Sequence, residues 1–217
     1  MALKGLIFDF NGTLVWDTPY HNKAFDIFLE RHGIFLTDEE KATKIHGKMN
    51  RDIMCGVFDR PLTDEEADAF GVEKELIYQE LIAADLHFAD GVELLFDTLK
   101  ARNIPFTIAT SSDMTNIAFY FSELQLDRWF SLQSIVFNDG TFNSKPEPDI
   151  FLKAAALLNL QPEETIVFED SIAGIRAAER AGAGKIIIVN SNNDDYTGYS
   201  HTIIRHFNEF DPATYGL

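Results

Sequence analysis

Four short runs of apolar, β-favouring residues punctuate the chain, at 3–8, 104–109, 165–168 and 185–189, and a weaker fifth lies at 134–137. The runs are continuous rather than alternating, as expected of strands covered on both faces. Helical spacing fills the intervals. Residues 92–102 place Leu94, Leu95, Phe96 and Leu99 at helical spacing. The segment 149–158 is rich in alanine and leucine and starts behind Pro148, and 172–181 stops at Gly182, a good helix terminator. Strand–helix alternation through the second half predicts an α/β fold, an open parallel sheet of the doubly wound type.

Residues 16–88 read differently, with helical stretches and no convincing strand. Thr37-Asp-Glu-Glu40 and Thr63-Asp-Glu-Glu66 each have the form of a capping box, in which threonine accepts from the helix backbone and glutamate three places on reaches back. A helical block placed after the first strand predicts a lid over the carboxyl edge of the sheet. The expected division is a core of residues 1–15 and 88–217 with an inserted helical domain of residues 16–87.

Composition narrows the partners. A formal net charge of −17 over 217 residues argues against nucleic acid and anionic membrane surfaces. One cysteine, Cys55, leaves no internal disulfide and fits a reducing cytoplasm. No stretch approaches the ~18 apolar residues of a membrane span, and the start of the chain lacks a signal-peptide pattern. A cytoplasmic protein, monomeric or weakly dimeric, is expected.

In open α/β sheets ligands bind beyond the carboxyl ends of the strands. Asp9 and Asn11 follow the first run, Thr110, Ser111 and Ser112 the second, and Glu169 and Asp170 the third, while Lys145 sits in a loop framed by Pro146 and Pro148. Taken singly, each has a plain reading: Asp9 as a turn residue, the hydroxyls as a helix cap, Glu169-Asp170 as charge near a helix start, Lys145 as a solvated cation. Together they place carboxylates, hydroxyls and one lysine on one edge. Such an oxygen-rich set suits a hard cation such as Mg²⁺, with lysine and hydroxyls left for phosphate oxygens.

The stretches Asp9-Phe-Asn-Gly-Thr13, Thr110-Ser111, Lys145-Pro-Glu-Pro-Asp149 and Glu169-Asp-Ser-Ile-Ala-Gly174 resemble the haloacid dehalogenase (HAD) superfamily. The last two, with the helical insertion, are similar to its β-phosphoglucomutase-like phosphatase branch. The resemblance implies a Rossmann-like core with a helical cap and a phosphatase of small phosphorylated metabolites, most simply sugar phosphates. It implies Asp9 as nucleophile, forming an aspartyl phosphate. It places Mg²⁺ on the Asp9 carboxylate, the Asn11 backbone carbonyl and Asp170, with Glu169 close by. Thr110 and Ser111 would hold phosphoryl oxygens, and Lys145 would neutralise developing charge. In the cap, the pattern from Gly47 to Asp52 and the pair Lys74 with Tyr78 nominate His21, Arg51 and Lys74 as substrate-binding, Arg51 being suited to a second phosphate and Lys48 a weaker candidate. Asp113 stands where mutases of the branch favour lysine.

Asn11 departs from the pattern, which has an aspartate there to protonate the leaving oxygen and activate water. Asparagine keeps the backbone carbonyl but cannot shuttle a proton, a loss commonly worth ~10²–10⁴-fold. Three explanations stand: substrates with a good leaving group, a different reaction, or a replacement that stalls turnover. Two rival functions follow, a catalytically weak phosphometabolite-binding protein and a β-phosphoglucomutase-type phosphotransferase. Dehalogenases usually carry tyrosine at this place and do not need the Glu169-Asp170 pair.

Overall fold

In the computed structural model, residues 2–45, 48–58 and 60–217 are described, Asp38 and Ala42 by their backbone alone. The chain opens with β1 (Gly5–Phe8) and then runs through α1 (Thr18–Arg31), α2 (Asp38–Lys44), α3 (Asn50–Val57) and α4 (Asp64–Ile82). It continues through α5 (Val92–Ala101), β2 (Phe106–Ile108), α6 (Met114–Glu123), α7 (Asp149–Leu157) and β3 (Thr165–Glu169). The remaining elements are α8 (Ile172–Ala181), β4 (Lys185–Val189) and β5 (Thr202–Ile204).

The strands are parallel in the order β2-β1-β3-β4-β5. Chain order reverses about β1, which is the switch point where ligand sites form in such sheets. The apolar runs are continuous because both faces are covered. On β1 and β3, Leu6, Phe8, Ile166 and Phe168 face one core, while Ile7 and Val167 face a second with Phe151 of α7 and Ala178 of α8. Phe8 stacks on Phe168 at 4.7 Å and meets Phe96 of α5 edge-on at 5.3 Å.

One expectation needs correction, and two elements lie outside those read from the sequence. Residues 134–137 do not form a strand: Leu132–Ser134 is a 3₁₀ turn, and only Val136 reaches the sheet, bridging beside Ala109. The edge strand opposite β2 is β5, whose three residues include an exposed Ile203 and so carry little apolar signal. Helix α6 was also unread. Its N-cap, Asp113, accepts the Thr115 N–H at 3.0 Å.

Among the described residues between β1 and residue 88 there are helices and no named strand. Both capping boxes form, at Thr37/Glu40 and Thr63/Glu66. Helices α1 and α3 pack on α4, and α4 packs in turn on α6. No described helix is long and apolar enough to cross a membrane.

Candidate active site

Strand β1 delivers Asp9 to the sheet edge, where its N–H donates to Phe168 O (3.0 Å) and its side chain is buried. A turn through Gly12 (φ +78°) follows, and a side chain there would meet the Asp170 carboxylate at 2.1 Å. Strand β3 ends in Glu169, which is completely buried against the start of α8. Its Oε2 accepts from Ser171 N (2.6 Å) and Ser171 Oγ (3.0 Å). Gly174 is what admits it: a Cβ there would lie 1.8 Å from Glu169 Oε1.

Lys145, itself buried, donates to Asp9 Oδ1 (2.5 Å) and to Glu169 Oε1. Asp170 Oδ1 accepts from Thr13 Oγ1 at 3.0 Å. One oxygen each from Asp9, Glu169 and Asp170 lie within 4.8 Å of one another. Burial pushes the Asp9 carboxyl up to about 7 against the pull of Lys145, and Glu169 adds to the rise. Burial and the same neighbouring carboxylates hold Asp170 well above the usual range. Attraction to Asp9 and Glu169 overrides the cost of burial at Lys145 and keeps it protonated. Three carboxylates against one ammonium are under-neutralised, and an all-oxygen set of this kind fits a hard divalent cation.

Thr110 leaves the end of β2 with its N–H on Val136 O (2.9 Å), and its hydroxyl accepts from Ser112 N (3.1 Å). The Ser111 hydroxyl is buried and has no partner among the described residues. A cleft of about 840 Å³, ample for a small metabolite, joins these groups to the helical block. It is lined by Asp9, Asn11, Thr110, Ser111, Lys145, Glu169, Asp170, His21 and Lys74, nine of the residues nominated from the sequence.

Arg51 is the exception. It is exposed, pairs with Asp64, and does not line the cleft. Asn50, the preceding residue, takes the inward position and donates to Glu75 Oε1 at 2.7 Å. One residue turns a helix by about 100°, enough to exchange an inward for an outward position. Lys48 does line the cleft, whereas Gly47 lies outside the described residues. Lys74 is buried rather than solvated, with Nζ 2.9 Å from His21 Nδ1 and 2.9 Å from Glu75 Oε1.

Asn11 belongs to a closed ring of hydrogen bonds. Its Nδ2 donates to Asp17 Oδ2 (2.6 Å) and to Tyr120 Oη (2.7 Å). The Tyr120 hydroxyl donates to Tyr78 Oη (3.1 Å), and the Tyr78 hydroxyl returns to Asp17 Oδ2 (2.6 Å). Ser112 Oγ donates to Asn11 Oδ1 (2.7 Å), and His21 Nε2 lies 3.1 Å from Nδ2. Burial, with Asp17 close by, pushes both tyrosines above their ordinary range, so both hydroxyls keep their protons. Asp17 had no functional signal in the sequence, since an aspartate before Thr18-Pro19 reads as an N-cap. Here it is the N-cap of α1 by its backbone carbonyl alone, while its side chain makes no capping bond and its Oδ1 turns back to accept Gly12 N–H at 2.9 Å.

With this arrangement in view, the comparisons with known proteins are direct. Residues 3–182 match the sequence pattern of haloacid dehalogenase-like hydrolases, and the chain belongs to that family. It is 29% identical over 197 residues to the phosphorylated carbohydrates phosphatase of Thermotoga maritima, covering 88% of each chain. It is 32% identical over 199 residues to hexitol phosphatase A of Escherichia coli, covering 89% of this chain and 86% of that one. The crystal structure of a HAD hydrolase, family IA, variant 3, from Entamoeba histolytica superposes with a TM-score of 0.87 at 36% identity, covering 98% of this chain and 97% of that one.

Proposed function

We propose that this protein is a Mg²⁺-dependent phosphatase of a small phosphorylated carbohydrate, working through an aspartyl phosphate on Asp9. The observation that carries this reading is the placement of Asp9 at a strand tip, bonded to Lys145 and within 4.8 Å of Glu169 and Asp170. The kinship with two named carbohydrate phosphatases supports the substrate class. The division into a core of residues 1–15 and 88–217 and a cap of residues 16–87 is part of the same proposal, because the cleft then lies between the two.

An Asp9 oxygen attacks phosphorus, the bond to the leaving oxygen breaks, and that oxygen takes a proton from solvent. Water then attacks the phosphorus of aspartyl phosphate, the P–O bond to Asp9 breaks, and Asp9 is regenerated. Lys145 pulls the Asp9 carboxyl toward the ionised form needed for attack, against the rise caused by burial, and offsets charge on the transferring group. Thr110 and the unpartnered Ser111 hydroxyl are assigned to phosphoryl oxygens. Asp9, Asp170, the Asn11 carbonyl and, close by, Glu169 would hold Mg²⁺. Bound there, the ion supplies neutralisation of phosphoryl charge.

Asn11 provides no proton for the leaving oxygen, so turnover is slow on alkyl phosphates and faster where the leaving group departs as a stable anion. The same feature favours a second reading, a binding protein that retains its ligand unhydrolysed. Mutase-type transfer is disfavoured by Asn11 and by Asp113, which stands where mutases of the branch favour lysine and here caps α6. Phosphate release from a panel of sugar and aryl phosphates, with and without Mg²⁺, tests the proposal. Release that requires both Mg²⁺ and Asp9 is expected. Absence of release from every compound, or an Asp9→Asn protein as active as the parent, overturns it.

A further inference from the structure

Substrate selection beyond the transferred phosphate falls to the helical side of the cleft, and two features there concern charge. Lys74, the cation most deeply placed on that wall, is 2% exposed and already satisfied by the protein. Its Nζ reaches Glu75 Oε1 and His21 Nδ1, both at 2.9 Å, and lies 4.4 Å from the centre of the Phe25 ring. Glu75 is equally buried and is held by three residues: Lys74 and Asn50 on Oε1, and Asn116 on Oε2 at 2.7 Å. Burial alone would raise its carboxyl, but Lys74 and His21 outweigh burial and bring it down to about 2. Glu75 is therefore ionised at every working pH. The second feature is that Arg51, suited by type to a distal phosphate, turns outward to Asp64, while Asn50 faces the cleft.

We infer that Glu75 is a specificity-determining residue: by cancelling Lys74 inside the cleft wall it selects a substrate with a single phosphate and an uncharged, hydroxyl-bearing far end, and rejects bisphosphates. The inference rests on the phosphatase reading and names the substrate class of that site. A second phosphate brought to this wall meets the Asn50 amide, the Phe25 ring, the His21 imidazole already engaged by Lys74, and a carboxylate–ammonium pair that cancels its own charge. Hydroxyl groups suit the same surface, because amides and carboxylate oxygens hydrogen-bond them without needing a counter-ion. Lys48 and Arg176 also line the cleft; Lys48 is half-buried and Arg176 exposed, so solvent screens them more than it screens Lys74.

The test compares kcat/KM for a hexose monophosphate and a hexose bisphosphate in the parent, in Glu75→Gln and in Asn50→Lys. The parent is expected to favour the monophosphate by ~10-fold or more, as a second phosphate brought to this wall loses hydration without gaining a counter-charge. Glu75→Gln releases the Lys74 charge and Asn50→Lys adds one, and each is expected to shift the ratio toward the bisphosphate by ~10-fold. A parent that uses both esters equally overturns the inference, as does a pair of variants that lower both rates in proportion. If Glu75→Gln fails to fold, Asn50→Lys decides. If the parent releases no phosphate from either ester, the phosphatase reading falls instead, and the same ratio read as Kd values by titration calorimetry still judges the wall.

Discussion

Exchanging the amide at position 11 with the carboxylate at position 17 is expected to preserve the fold and accelerate hydrolysis, whereas changing position 11 alone is expected to damage the fold. Asn11→Asp sets two carboxylates where Nδ2 and Oδ2 now lie 2.6 Å apart. Two unit charges 4 Å apart repel by about 4 kcal/mol at an effective dielectric of 20, equivalent to about 3 pKa units for the pair. The pair therefore keeps one proton to well above the ordinary carboxylate range. Because the pKa is raised in the folded state, the loss of stability grows as pH rises through that range and is smallest in acid. A deficit of about 2–4 kcal/mol at pH 8 is expected.

In Asn11→Asp/Asp17→Asn the ring can run in the opposite sense. The amide nitrogen introduced at position 17 donates to Tyr78 and to the carboxylate introduced at position 11. Tyr78 then donates to Tyr120, and Tyr120 donates to that same carboxylate, while the new amide oxygen still accepts from Gly12 N–H. No donor or acceptor of the ring is stranded, so the double variant is expected within about 1 kcal/mol of the parent, with a coupling energy of at least ~2 kcal/mol between the two sites. It also returns a carboxylate to the cleft, which is expected to raise phosphate release from alkyl phosphates by ~10²–10⁴-fold. p-Nitrophenyl phosphate, whose leaving group departs unprotonated, should gain little. Urea unfolding at pH 8 and phosphate release on both substrate types read the two halves. An Asn11→Asp protein as stable as the parent at pH 8, or a double variant no more stable than Asn11→Asp, refutes the ring argument.

Glu75, lowered from its ordinary value to about 2, contributes stability that is full above pH 4.5 and lost as pH falls toward 2. The contribution is on the order of 3 kcal/mol. Glu75→Gln should therefore fall below the parent at neutral pH and converge with it near pH 2 in urea midpoints; parallel curves would contradict this. Mg²⁺ binding should release protons near pH 7, because Asp9 and Asp170 carry raised pKa values before the cation arrives. Calorimetry in two buffers of different ionisation enthalpy measures the release, and affinity that does not rise with pH counts against the assignment. Gly174→Ala forces a methyl into the space of the Glu169 carboxylate, at a cost of about 1–3 kcal/mol. It should weaken Mg²⁺ binding along with thermal stability; unchanged Mg²⁺ affinity would detach Glu169 from the ion.

How far the sequence could be read depended on what each residue was buried against. Strands β1, β3 and β4 announce themselves because both faces are covered, so Leu6-Ile7-Phe8 and Ile166-Val167-Phe168 have no polar interruption. β5 does not, being three residues long at an edge with Ile203 in solvent. Strand tips are short-range features, which is why Asp9, Thr110 and Glu169 could be placed on one edge in advance. Position on a helix is less forgiving: Arg51 and Asn50 differ by one residue and face opposite ways. The ring around Asn11 was not readable at all, because it joins residues 6 and 109 places apart. Nothing in local pattern marks Asp17 or Tyr120 as partners.

The seam between α4 and α6 has a mechanical implication. Gln79 Nε2 donates across it to Thr115 O and Asn116 Oδ1, and Asn116 also holds Glu75. Separating the two helices would strand several shielded polar groups at once. The far flank, α1 to α3, is tied to α6 more lightly, through Asn50 and the Asp113 cap at 3.3 Å. The same flank is also tied to the loop before Lys145, where Ser144 Oγ accepts from Met49 N and donates to Asp52, and amide protons along α4 and α6 are expected among the slowest to exchange with deuterium.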